Sequence, residues 1–330
     1  MSAVDAYATA STDLRFIRAL RQGLMPTLLL AELVIFTLLN SQFLTPGNLK
    51  DIVVNSGDLA MLAAGMTIVV LLGGIDVSAG PMLGVVAWII ATAIGLGIHP
   101  LIVVAIGLLA GIVLGTVNAS IVVLGRVAPI IATLGTSAIF QSVLFVLWAS
   151  RDRFSGPVLP IFSGYSPGGF PILIIPVLLV YAGLAYLLKL RGFGLNIYAV
   201  GNDAEGARLL GVPADRVVFL AYALMGALVG LGALFYIGRV GVVQANSGAE
   251  MSMAAIAAVV VGGTSILGGQ GGVIRTLGGL LFIAILQNGV VLAGVPSLWT
   301  GAFVGLAVAL AVSVDVVTTR IIDQRTGARR

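Results

Sequence analysis

Apolar runs follow one another along nearly the whole chain, separated by short breaks rich in Gly, Pro or charge. A bilayer core of about 30 Å takes about 20 apolar residues as a helix, and a helix satisfies its own backbone hydrogen bonds in lipid. Broken at the polar and Gly/Pro-rich points, the chain offers spans at 24–44, 52–73, 80–97, 100–124, 128–149, 171–189, 217–238, 251–267, 276–293 and 298–318. Soluble domains carry about 25% charged residues; this chain carries 9%, too few to cover a water-facing surface. The 44 glycines fit helices that approach closely in a membrane better than disorder, because 59% of the residues are hydrophobic. The expected fold is therefore all-α: a polytopic transmembrane helical protein of about ten membrane helices.

Charge placement orients that array. With the N-terminus inside, the cytosolic cations are Arg15, Arg18, Arg21, Arg126, Lys189, Arg191, Arg208, Arg216, Arg275, Arg320, Arg325, Arg329 and Arg330, and the outer ones Lys50, Arg151, Arg153 and Arg239. Thirteen against four follows the positive-inside rule, and deleting one span would misplace the later basic loops. Both termini are expected in the cytoplasm; eight spans plus re-entrant segments would keep the same sidedness. The organisation is then a cytosolic segment 1–23, one membrane domain 24–318 and a basic cytosolic tail 319–330, with no cleavable signal peptide evident. The pI near 9.7 does not point to nucleic acid, because the cations flank spans instead of forming one patch. The longest outer loop, Ser150–Phe170, is too rich in Gly and Pro for a regular helix; it is either a docking surface or a connector.

One wet stretch stands out in the second half: RGFGLNIYAVGNDAEGARLLGVPADR, 191–216. Asn202 can cap a helix with Glu205 reaching back, Ala204, Ala207, Leu209 and Leu210 sustain it, and Gly211 with Pro213 stops it. A helix of about two turns is expected from Asp203 to Leu210, presenting Leu209, Leu210 and Val212 to a partner.

Two Gly-rich hairpins face the same side: VVLLGGIDVSAGPMLG (Val69–Gly84), with Gly73, Gly74, Asp76 and Ser78, and VVVGGTSILGGQGGVIRTLGG (Val259–Gly279), with Gly262 and Gly263. Neither contains GxxxxGK[ST], so neither grips a nucleotide phosphate by that route. Asp76 is expected to cap the third span. Glu32 and Asp315 are read as structural or interfacial acids, since the spans offer almost no facing partners for a proton relay. Zero cysteines and a single histidine, His99, exclude thiolate chemistry and a multi-histidine metal site. No nucleophile triad or carboxylate pair is visible, so an enzyme is not expected. Neutral polar residues inside spans, Asn118, Thr133, Thr136, Gln141, Gln287 and Asn288, either line a path for a polar solute or bond helix to helix.

Four stretches, GMTIVVLLGGIDVSAG (Gly65–Gly80), VNAS followed by PIIATLGTSAI (within Val117–Ile139), YAVGNDAEGARLLGV (Tyr198–Val212) and MAAIAAVVVGGTSILGGQGG (Met253–Gly272), together resemble the membrane permease subunits of bacterial ABC importers for ribose and related sugars, a family that includes autoinducer-2 permeases. The likeness runs from about Leu24 to Val314. It implies a type II importer fold in the inner membrane, a second permease subunit, a cytosolic ABC ATPase dimer that binds ATP and Mg, and an extracytoplasmic sugar-binding protein. It also implies that Asn202, Asp203, Glu205, Ala207, Arg208, Leu209, Leu210, Gly211 and Val212 form the coupling helix seated on the ATPase. The chain itself would hold no cofactor. Competing readings are a permease for another small polar solute (autoinducer-2 or an amino acid), an ion-coupled secondary transporter and a membrane enzyme; the scarcity of intramembrane charge opposes the transporter.

Overall fold

The computed structural model describes residues 25–149, 152–162, 164, 169–310 and 313. The segment 1–23, the tail 319–330, Asp315 and Arg151 lie outside the described residues. The chain runs through α1 (Met25–Leu39), α2 (Pro46–Asn55), α3 (Gly57–Leu71), α4 (Ala79–Gly95), α5 (Pro100–Val123), α6 (Pro129–Trp148), β1 (Arg153–Phe154), α7 (Ile174–Leu190), α8 (Gly192–Asn202), α9 (Ala204–Leu209), α10 (Ala214–Val240), β2 (Val242–Val243), α11 (Met251–Val261) and α12 (Val273–Leu292). It closes with α13 (Ser297–Leu310). Proline sets several starts, where its missing N–H is lost at no cost: Pro46, Pro100 and Pro129 each sit in the first turn.

Among the described residues, α5, α6, α10 and α12 are long and apolar enough to cross a bilayer. The pairs α2–α3, bent by 47°, and α7–α8, bent by 72°, raise the number to six if each crosses as one span. Four shorter apolar helices, α1, α4, α11 and α13, occupy the remaining span positions read from the sequence. The protein is an all-α membrane protein. The span expected at 251–267 is helical only over the 11 residues of α11, a rise of about 16 Å, roughly half a bilayer core.

All 15 residues of α3 are buried, consistent with a helix that is apolar on every side. Around it pack α7, α8, α10, α11 and α12. The largest helix interface is α5 on α10, and glycine permits it. On α5, Gly107, Gly111 and Gly115 are buried at a spacing of four, while Leu101, Leu109 and Val113 on the other faces are exposed. A Cβ at Gly111 would collide with the carbonyl oxygen of Gly226, and one at Gly230 would lie 2.5 Å from that of Gly107. Side chains here would push the two backbones apart, so close packing rests on their absence.

At the end of the bundle opposite α9, β1 and β2 form an antiparallel ladder with Arg153 facing Val243 and Phe154 facing Val242. The ladder ties the Ser150–Phe170 loop to the end of α10. Beside it Arg239 of α10 donates two hydrogen bonds to Oδ2 of Asp58, which is 1% exposed at the start of α3.

Candidate functional site

The short helix α9 is built as a protrusion. Its N-cap is Asp203, whose Oδ1 accepts from the N–H groups of Glu205 at 3.1 Å and Gly206 at 3.0 Å. This corrects the expected cap: Asn202 is the last residue of α8, not the cap of α9. The reason is local. Asp203 adopts an extended backbone (φ −157°, ψ 102°), which aims its side chain back at the first turn, whereas Asn202 remains helical. The C-terminus is a Schellman motif: the Gly211 N–H bonds to the Arg208 carbonyl at 2.9 Å, and the Val212 N–H to the Ala207 carbonyl at 3.0 Å. Gly211 takes φ 84°, the left-handed turn that motif requires. Arg208 and Asp215 pair at 2.6 Å on the surface, joining α9 to the start of α10. Ala207 faces inward at 4% exposure, while Leu209 and Leu210 stand 85% and 86% exposed.

The root of this protrusion is where both Gly-rich hairpins meet. Gly201, one residue before the end of α8, lies against the carbonyl of Leu71, the last residue of α3. That same carbonyl accepts the N–H of Gly269 at 2.9 Å. Gly268 is so close to the first hairpin that a Cβ there would lie 2.8 Å from the Gly73 nitrogen and 2.6 Å from the Gly201 carbonyl oxygen. Gly73 and Gly268 both adopt left-handed backbone (φ 75° and 87°). Tyr198 of α8 donates to the Gly271 carbonyl at 3.0 Å. Three chain segments distant in sequence are thus joined backbone to backbone at the root of α9. Within the second hairpin the end of α11 packs on the start of α12, Gly262 against the Arg275 carbonyl, and Gly263 turns at φ 87°.

The first hairpin continues into a buried polar cluster. Asp76 is fully buried and accepts from the Ser78 N–H at 2.9 Å, the Ser78 hydroxyl at 2.6 Å and Asn118 Nδ2 at 3.3 Å. It is not the cap of α4: Ser78 holds that position, with Asp76 two residues earlier. Thr133 of α6 donates to the Ile75 carbonyl and accepts from the Val77 N–H. Ser252 of α11 donates to the Val77 carbonyl and accepts from the Gly80 N–H. The hairpin is therefore pinned to α5, α6 and α11.

The six neutral polar residues fall in three places along the bundle. Asn118 and Thr133 belong to this cluster, with Thr136 one turn farther along α6, bonded to the Thr133 carbonyl. Gln141 donates to the Ala245 carbonyl toward the β1–β2 end. Asn288 exchanges reciprocal side-chain bonds with Asn48 of α2 at 2.9 and 3.0 Å, and Gln287 is half-buried beside it on α12. Glu32 is buried on α1, with neither carboxyl oxygen hydrogen-bonded among the described residues. Sequence reasoning overlooked Asp58, although an acid inside the 52–73 span was signal enough. It also missed α8, whose buried Gly194, Ile197 and Val200 recur every three residues.

Comparison with known proteins places this architecture. Residues 48–312 match the family model described as a branched-chain amino acid transport system / permease component. The chain belongs to this permease family. The permease is 34% identical over 291 residues to the probable ABC transporter permease protein y4mJ of Sinorhizobium fredii, covering 87% of this chain and 85% of that one. It is 34% identical over 285 residues to the ribose import permease protein RbsC of Bacillus subtilis (86% and 88% covered). To the autoinducer 2 import system permease protein LsrC of Salmonella typhi it is 32% identical over 303 residues (89% and 85%). No solved structure matches. The permease is a transport subunit of the bacterial inner membrane and a component of an ABC importer.

Proposed function

We propose that this permease moves a monosaccharide or a related small carbohydrate into the cytoplasm, driven by ATP hydrolysis on a separate subunit. The similarity to ribose and autoinducer-2 permeases supports that solute class, and autoinducer-2 itself is the second reading. In this reading the chain crosses the membrane ten times with both termini cytoplasmic, in the type II importer arrangement. Residues 24–318 are one membrane domain, flanked by cytosolic segments 1–23 and 319–330. It pairs with an identical or paralogous permease, and an extracytoplasmic sugar-binding protein delivers the solute. The two ATPase subunits bind ATP and Mg; the permease binds no cofactor and catalyses no reaction.

The observation that carries the reading is α9: capped at both ends, projecting two exposed leucines, and rooted on both hairpins. Burying a leucine is worth roughly 1.5–3 kcal/mol, so Leu209 and Leu210 together supply a substantial part of a docking energy. Closure of the ATPase pair draws the α9 helices together. The α8 root passes that displacement to the α3–α4 and α11–α12 hairpins, and the permease pair changes between outward-open and inward-open states. The polar cluster around Asn118 and Thr133 is the part of the proposed pathway nearest the moving hairpin. Small and neutral polar groups suit a solute that must be released, with affinity supplied by the binding protein.

The test is co-purification of the membrane-embedded permease with its ATPase, and stimulation of ATP hydrolysis, for wild type against Glu205→Arg with Leu209→Asp. Both positions lie on the exposed helix, so folding is expected to persist. The wild type should retain and stimulate the ATPase, and the double variant should do neither. A wild type that binds no ATPase and takes up solute only with an ion gradient would replace this reading with a secondary transporter.

A further inference from the structure

A cavity lies on the α9 side of the bundle, at the flank of the α9 root, where it shares Tyr198 and Gly271 with that junction. Its volume is about 290 Å³, and it opens between the end of α7, the α8 helix and the first turn of α12. This is close to the lower limit of small-ligand sites, about 300 Å³. Lys189 and Arg275 line it, together with Tyr198 and the apolar side chains of Ala185, Leu188 and Ile274; no Asp or Glu does. Both cations are exposed. Arg275 donates one long bond, 3.4 Å, to the Gly263 carbonyl, and neither cation has an ion pair among the described residues. Two cations in one concavity, without an acid between them, form a receptor for a phosphate-type anion.

The surroundings say what carries that anion. The cavity is partly walled by Ile274, which is 59% exposed, and Leu190 beside Lys189 is 70% exposed. Arg191 stacks over the ring of Tyr186 with its guanidinium carbon 5.1 Å from the centroid. A basic pocket, an exposed apolar rim and an aromatic–arginine pair at the end of an apolar helix are the features of a membrane–water interface. A free phosphate would use the cations and gain nothing from the rim. An anionic lipid uses both.

We propose that this cavity binds the phosphate headgroup of an anionic phospholipid, with its acyl chains along Ile274 and Leu190. The assignment to the cytoplasmic leaflet rests on the orientation proposed above; binding itself does not. Because Tyr198 lies on α8 and bonds to Gly271 of the second hairpin, the occupied site would brace the root of α9 from its outer side.

The experiment is native mass spectrometry of the full-length permease titrated with phosphatidylglycerol and, separately, phosphatidylcholine, for wild type, Lys189→Gln with Arg275→Gln, and the charge-keeping pair Lys189→Arg with Arg275→Lys. Each cation near an anionic lipid is worth about fivefold in affinity. The neutralised pair should therefore bind phosphatidylglycerol about 25-fold more weakly, with phosphatidylcholine unchanged and the charge-keeping pair close to wild type. Equal phosphatidylglycerol affinity in the neutralised pair overturns the proposal. So does displacement of the bound lipid by millimolar glycerol 3-phosphate or inorganic phosphate, which would make the site one for a soluble anion. Should the neutralised pair not fold, wild-type retention of phosphatidylglycerol is measured against salt: a steep loss with added salt supports the site, and salt-independent retention refutes it.

Discussion

Gly201→Ala isolates the mechanical claim made for the α9 root. The new methyl carbon would overlap the Leu71 carbonyl oxygen and lie 2.9 Å from both the Leu71 carbonyl carbon and the Gly269 nitrogen. All three are backbone atoms, so no rotamer change relieves the clash. Overpacking of this kind costs about 1–3 kcal/mol. Separating Leu71 from Gly269 also removes their 2.9 Å hydrogen bond, worth about 1 kcal/mol. Against this, alanine is the better helix former by about 1 kcal/mol, a gain reduced in the last turn of α8. The net is a destabilisation of about 1–3 kcal/mol, placed at the joint between α8 and the two hairpins. Gly183→Ala is the control, since Gly183 is exposed within α7 with open space around its Cα. There only the propensity gain applies. Reversible unfolding in mixed micelles should rank Gly183→Ala at or above wild type and Gly201→Ala below both. In proteoliposomes Gly201→Ala should still bind the ATPase, because Leu209 and Leu210 are untouched, while transport per ATP falls. Equal stability of the two variants, with transport intact in Gly201→Ala, would refute the tight joint and the force path built on it.

Two further outcomes test the opposite end of the bundle. Asp58 is buried and Arg239 is the ion partner it has there, so Asp58→Asn alone should cost about 3 kcal/mol, at the lower limit for breaking a buried pair because Arg239 keeps partial access to water. Adding Arg239→Gln should recover part of that loss, and strictly additive unfolding energies in the double-mutant cycle would show that the pair is not coupled. In the outer loop, hydrogen bonds from Trp148 Nε1 and then Gln244 Nε2 hold the carboxyl of Asp152 below its ordinary value of 3.8. A folded-state pKa that is depressed stabilises the loop above the ordinary value and ceases to do so as pH falls through the depressed one. Trp148 fluorescence should therefore change with a midpoint below pH 3.8 and lose that step in Asp152→Asn; a midpoint at or above 3.8 would contradict the bonded geometry.

The apolar runs, the sparse charge and its asymmetry were sufficient to read an all-α membrane protein, because the bilayer accepts few solutions to backbone hydrogen bonding. The ends of α9 were legible to within a residue, since the Gly211 stop and the acidic first turn are local signals; the cap itself went to Asp203 because φ and ψ, not residue type, choose between neighbours. The glycines of the two hairpins were visible as turns. What the linear order could not contain is that Gly73, Gly201 and Gly268 meet. Their partners are backbone atoms with no residue-specific chemistry, so nothing in the sequence marks which carbonyl each one admits. The same holds for Asp58 with Arg239 and Asn48 with Asn288, pairs separated by 181 and 240 residues. Membrane residence and the exposed helix follow from short-range chemistry along the chain. The junction at the root of that helix exists only where tertiary packing brings three distant turns within backbone contact.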